Sequence, residues 1–154
     1  MAYVIVGASA SGINAAKTLR ENDKNIEIIL VSKDEYVYSR CILHHFLDGR
    51  REIEALDFTP KNFFEMYNIK WIKGVEVIGI DVKEKKLKLS NNEDLSYDKV
   101  LLAAGSSSFL PPIENLRTAN NVIGLRNLDD AIKIKDIAEK CKNVVILGAG
   151  LVGV

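Results

Sequence analysis

Apolar and polar positions along this chain fall into short blocks of two different periods. Residues 3–6, Tyr-Val-Ile-Val, form an apolar run that stops at Gly7. From Ile13 to Asn22 the apolar positions Ile13, Ala16 and Leu19 recur at helical spacing, so a strand, a glycine turn and a helix are predicted in that order. "NIEIILVS" (Asn25 to Ser32) is almost continuously apolar, as befits a parallel strand covered on both faces. "SKDEYVYSR" is a polar loop without a clear period. "CILHHFLDG" then places Ile42, Leu43, Phe46 and Leu47 at helical spacing, predicting a helix over 41–47 that Gly49 ends. "DFTPKNFFEMYN" reads as a helix with Thr59 as N-cap and Pro60 at its first position.

From Ile69 to Ser90 the residues alternate or are β-prone, and the turn "NNED" follows, which predicts an antiparallel meander of short strands. "YDKVLLAAG" is one more buried strand ending in glycine. "SSSFLPPIENL" is a connection stiffened by Pro111 and Pro112. A helix is predicted over Leu128–Lys140, with Ala131, Ile134, Ile137 and Ala138 on one face, and a strand over Val144–Leu147. This alternation indicates an α/β fold: a Rossmann-like domain with a parallel sheet plus an antiparallel β-meander. The expected strand order puts Tyr3–Val6 between Ile26–Val31 and Val100–Ala103. Residues 1–110 are assigned to that domain and 111–154 to a linker, a helix and the first strand of a second one.

Composition narrows the class. The chain has 154 residues, 47% hydrophobic and 27% charged, and Lys+Arg and Asp+Glu are 21 each. With zero net charge, nothing points to a nucleic-acid or anionic-membrane partner. No apolar run approaches the ~18 residues of a membrane-spanning helix. Cys41 and Cys141 provide no disulfide framework, so a reducing, cytoplasmic setting is the simplest expectation. Cys41 with His44 and His45 lacks further ligands at metal spacing, and no metal site is assigned.

Two glycine turns carry the chemistry. Gly7-Ala8-Ser9-Ala10-Ser11-Gly12 is a G-x-G-x-x-G with Ser9 at the second glycine, lying between a strand and a helix. Gly7 permits the tight turn, Gly12 the close packing of helix on strand, and Ser9 is small enough for a pyrophosphate to approach. The plain alternative is a strand-to-helix turn without a ligand. A second, complete fingerprint, Gly148, Gly150 and Gly153, stands at the other end of the chain. The acid that normally binds ribose about 20 residues after the first turn is replaced by Ser32, followed by Lys33 and Asp34. Ser32 and Asp34 are both open as ribose ligands, and so is a solvated turn with neither role.

These features together resemble the FAD-dependent pyridine nucleotide-disulfide oxidoreductases. "YDKVLLAAGSSSFLPP" is similar to that family's Y-D-x-hhh-A-T-G-S-x-P-x-x-P segment, with Ala104 in place of threonine, and "GLRNLDDAIKIKD" before "VVILGAGLVGV" resembles the entry to its NAD(P)H domain. "YSRCILHHFLDGR" resembles the flavoprotein parts of nitrite reductases and rubredoxin reductases. The resemblance implies FAD as cofactor and NAD(P)H as the parent's electron donor, with a small redox protein or redox centre as acceptor. It places the Gly7–Gly12 loop, Ser32, Lys33, Arg40, Val77, Ala103, Ala104, Gly105, Ser106 and Arg126 at the FAD. It also implies that this chain holds the first part of the FAD domain and only the start of the NAD(P)H domain, so that it is inactive alone. On that expectation the strand over 144–147 docks on its own sheet edge or swaps into a second copy.

Two positions separate branches of the family. Ala10 stands where NADH peroxidases and oxidases carry an active-site histidine. Cys41 stands where those enzymes and coenzyme A disulfide reductases place a redox cysteine, but Tyr38-Ser39-Arg40 and His44-His45 do not match their flanking pattern. A structural Cys41, a small apolar side chain buried on a helix, fits the residue type as well. The alternatives to an acceptor-reducing flavoprotein are therefore a single-cysteine disulfide reductase using Cys41 and a non-catalytic nucleotide-binding module.

Overall fold

The structure, a computed structural model, describes residues 1–148 and 150. The chain groups into two compact units, residues 1–38 with 57–105, and residues 39–56 with those from 106 onward. The sequence reading draws a single division near residue 110, whereas the second unit is assembled from two separate stretches.

In the first unit, β1 (Ala2–Val6), β2 (Glu27–Ser32), β3 (Ile69–Lys73) and β7 (Lys99–Leu102) form a parallel sheet in the order β3-β2-β1-β7. β1 lies between β2 and β7 as expected, with Tyr3 opposite Ile28 on one side and Lys99 on the other. Alternate residues of the central strands go to opposite faces. Ile5, Ile28 and Leu30 share a core with Ile13 and Ala16 of α1 (Ala10–Asn22), while Val4, Ile29 and Val31 meet Leu87, Leu89 and Tyr97 on the other side. The continuous apolar run of β2 thus reflects burial on both faces.

The second face is covered by β4 (Val77–Asp81), β5 (Lys86–Leu89) and β6 (Asp94–Ser96), an antiparallel sheet. Asp81 Oδ1 accepts from the amides of Lys83 and Glu84 to form the first turn. "NNED" forms the second, with Asn92 in the left-handed region at φ +67°. The meander is shorter than the sequence suggests, because Ile69–Lys73 leaves it to become the edge of the parallel sheet. The half-buried pattern of "IKWIK" suits a parallel edge as well as a meander strand, so periodicity alone does not separate them. Thr59 is not a cap either. Its hydroxyl donates to Asp57 Oδ1, which also accepts the Thr59 amide, and α3 starts four residues later as Phe63–Met66.

Arg20 is the feature that the residue pattern concealed. It is only 7% exposed, near the end of α1. Its Nε donates to the carbonyl of Tyr67, Nη1 to those of Asp23 and Lys24, and Nη2 to that of Asn68. Four carbonyls left over at the ends of α1 and α3 are thereby satisfied by one cation, which suits the negative end of a helix.

In the second unit, a 3-10 turn (Arg40–Ile42) leads into α2 (Leu43–Leu47), so the helix over 41–47 is half tight turn. Gly49 follows it at φ +75°. α4 (Leu128–Ala138) starts where predicted and stops two residues early. Its capping box is complete: Asn127 Oδ1 accepts from the Asp130 amide and Asp130 Oδ2 from the Asn127 amide. α2 and α4 contribute Leu43, Phe46, Leu128 and Ala131 to the buried interior of this unit, and Lys135 Nζ sits 4.6 Å from the Phe46 ring centre. The strand expected over Val144–Leu147 is not formed. These residues pair with no backbone among those described and are 66–91% exposed. A strand exists only through its ladder, and apolar character without a partner does not create one.

Replacing Arg20 by Met should leave four inward carbonyls without a donor. We expect a loss of about 3 kcal/mol in unfolding free energy by urea denaturation, with Arg20→Lys recovering only part of it.

Candidate functional site

Within the first unit, the C-terminal ends of all four parallel strands lie on one edge, where ligands sit in open α/β sheets. β1 runs directly into the turn at Gly7, whose amide donates to Val31 O at 2.8 Å and whose φ is +113°. A Cβ built on Gly7 would lie 2.4 Å from Ala103 O. A Cβ on Gly12 would lie 1.8 Å from Gly7 O. Three backbone segments therefore meet with no room for a side chain. The two glycines have the structural parts assigned to them from sequence, the turn and the helix–strand packing.

Helix α1 starts from this turn. Ser9 occupies the N-cap position in extended conformation, and its carbonyl accepts from Ile13 N at 3.0 Å. The amides of Ala10, Ser11 and Gly12 belong to the first turn, where an α-helix offers no internal acceptor. No acidic side chain lies in that turn. Unpaired amides, the positive end of the helix and the lack of a competing carboxylate make this a place for an anion. Ala8 is buried beneath it, while Ala10 and Ser11 are exposed.

Ser32 closes β2 and is 4% exposed. Its hydroxyl donates to Asp34 O at 2.7 Å and accepts from Trp71 Nε1 at 2.9 Å, so it ties β2 to β3. Lys33 next to it is exposed. Val77 is half-buried at the start of β4, and Val75 N donates to Ser32 O. Ala103, whose amide donates to Val6 O, and Ala104 and Gly105 follow β7 past the Gly7 turn. The structure thus brings together the 7–12 loop, Ser32, Lys33 and residues 103–105 on one edge of one unit.

The second unit contains Arg40, Cys41, Ser106 and Arg126. Arg40 is half-buried at the start of the 3-10 turn. Cys41 is exposed, so the expectation of a buried structural thiol does not hold. A one-turn 3-10 segment has no inner face on which to bury it. Arg126 donates from Nε to Ser106 O and from Nη2 to Ser106 Oγ. Nearby, Arg50 hydrogen-bonds Asp48 and holds its carboxyl well below the usual range, at about 2. Burial of its ring, then His44 and Arg50, pushes the His45 imidazole down. No group of three or more His, Cys, Asp or Glu among the described residues is placed to hold a metal. Of the second fingerprint, Gly148 and Gly150 are described, and a Cβ on either would meet nothing within 4 Å, so no cradle exists there. Gly153 lies outside the described residues.

Two outcomes follow from this geometry. Gly12→Ala should cost about 3 kcal/mol or more, because its Cβ meets backbone that cannot yield. Gly49→Ala, equally left-handed but in open space, should cost only about 1 kcal/mol in the same thermal denaturation series. The Asp48–Arg50 pair supports the fold above the carboxyl's ordinary value, near pH 4, and that contribution is lost as pH falls towards 2, which an acid titration of stability will show.

Comparison with known proteins follows the same lines. Residues 1–154 match the family described as pyridine nucleotide-disulphide oxidoreductase. The chain is 32% identical over 164 residues to an NADH oxidase of Methanocaldococcus jannaschii, covering 99% of this chain and 36% of that protein. It is 34% identical over 152 residues to a rubredoxin-NAD(+) reductase of Alcanivorax borkumensis, covering 97% and 39%. The crystal structure of NADH:rubredoxin oxidoreductase from Clostridium acetobutylicum superposes with a TM-score of 0.78 at 26% identity, covering 91% of this chain and 36% of that one. This chain spans 36–39% of the length of these relatives. With a match over its whole length and a fold that agrees, the chain belongs to the pyridine nucleotide-disulphide oxidoreductase family.

Proposed function

We propose that this chain is the FAD-binding part of an NAD(P)H-dependent flavoprotein oxidoreductase that passes electrons to a small redox protein or redox centre, of the rubredoxin or nitrite reductase kind. The observation that carries the reading is the side-chain-free junction of Gly7, Gly12 and Ala103 beneath the first-turn amides of α1. Its shape and polarity fit a pyrophosphate. When bound, the flavin supplies the hydride and electron chemistry. The chain's own work is to bind and orient. The 7–12 loop holds the pyrophosphate through backbone amides, and Lys33 is an exposed cation beside the end of β2. Val77 offers backbone to the adenine, and residues 103–106 pass along the cofactor. Arg40 and Arg126 are assigned to it by the family resemblance, Arg126 through the guanidinium that Ser106 already orients. Gly148, Gly150 and Gly153 belong to an NAD(P)H site.

The relatives named for rubredoxin support the acceptor class. A cytoplasmic setting accords with this reading, and no helix among the described residues is long and apolar enough to cross a membrane. One observation favours the second reading, a single-cysteine disulfide reductase: Cys41 is exposed, as a thiol that attacks disulfides must be.

The full-length protein should retain FAD through gel filtration, with flavin absorption in the visible. Protein that keeps no flavin at saturating FAD removes the proposal. Cys41→Ser should leave NAD(P)H-dependent reduction of an artificial acceptor and of rubredoxin unchanged. If the wild type reduces a disulfide substrate and the variant does not, the disulfide reductase takes its place.

A further inference from the structure

The position that normally carries a ribose-binding acid is filled by Ser32, and Ser32 is spent. A serine hydroxyl has one proton and two lone pairs. The proton goes to Asp34 O and one lone pair takes the Trp71 N–H, in a residue almost wholly buried. Trp71 is itself fixed, its ring stacked on Phe64 at 4.4 Å between centres and 13° between planes. This bridge pins the first residues of the loop that leaves β2.

The next side chain but one in that loop is Glu35. It is exposed and makes no hydrogen bond or ion pair among the described residues. Its carboxylate rests on Gly74, just past the end of β3: a Cβ built there would lie 3.3 Å from Glu35 Oε1 and 3.4 Å from Cγ. The neighbouring Val75 amide donates to Ser32 O at 3.0 Å, so the glycine notch is tied to the end of β2. A carboxylate with no partner is therefore held at the ligand edge of the sheet, beside the strand end where ribose acids stand in Rossmann sites.

Resting on the reading of this edge as the cofactor site, we infer that Glu35 accepts the hydroxyls of the adenosine ribose in place of Ser32. An ionised carboxylate has only acceptors to offer, and a vicinal diol supplies two donors to match. Bonds to the charged group are stronger than those the neutral serine could make. The Gly74 notch gives the side chain room to lie flat along the edge.

The test compares ADP with 2′,3′-dideoxyadenosine diphosphate by calorimetry on the flavin-free protein. Wild type should prefer ADP by about tenfold or more, the worth of a charge-assisted hydrogen bond. Glu35→Ala, at an exposed site, should bring the ratio close to one by weakening ADP alone. A wild-type ratio in Glu35→Ala overturns the inference, and a ratio lost instead in Ser32→Ala returns the ribose to Ser32. FAD retention is followed in parallel. If wild type binds neither FAD nor ADP, the cofactor reading falls and this inference with it, whereas an unaltered ratio with FAD bound overturns the inference alone.

Discussion

The close meeting of three backbone segments at Gly7, Gly12 and Ala103 is the constraint on which the first unit depends. Gly12 must lack a side chain for α1 to start against the turn, and Gly7 must lack one for the chain beyond β7 to pass. Because that junction fixes where α1 begins, it also fixes where the first-turn amides point. Binding geometry and folding geometry are thus set by the same few atoms. A substitution there cannot weaken ligand binding without also loosening the sheet.

The two edges of the parallel sheet are finished in opposite ways. At the edge where β2 and β3 begin, carbonyls left over from α1 and α3 converge on the buried Arg20 guanidinium, and the end is closed. At the other edge, amides and a glycine turn are left open, and the side chains that stand there are short, such as Ala8, Ser9 and Ala103. The closed edge provides the rigidity that lets the open edge keep its shape without a side-chain core of its own. Trp71 adds to this by joining β2 to β3 through a neutral hydroxyl.

The sheet was legible because its central strands are buried on both faces and so read as unbroken apolar runs. The glycine turn was legible because few residue types tolerate its backbone. Three readings went astray for a common reason, that local pattern is silent about partners. "IKWIK" has the composition of a meander strand and becomes a parallel edge because β2 lies beside it. Thr59 has the chemistry of a cap but finds Asp57 first. Val144–Leu147 has the composition of a strand and finds no ladder among the described residues. Arg20 was hidden for the opposite reason, since a charged residue near a helix end reads as surface until its carbonyl partners are seen. Ser32 was read as an open ligand, and only the position of Trp71, 39 residues away, shows its hydroxyl committed.

The register of β1 carries a consequence for how the molecule comes to exist. One neighbour of this strand, β2, starts about 25 residues later, but the other is far away: the Ala2 amide bonds Asp98, 96 positions along the chain. During synthesis at roughly 5–20 residues per second, β1 and β2 can pair for about 5–20 s before β7 has been made. Through that interval the free side of β1 exposes Val4 and Val6, and the pocket-forming turn lacks the backbone that closes it. The growing chain is thus most open to mispairing along its first strand, and it acquires a finished ligand edge only when its hundredth residue or so has emerged.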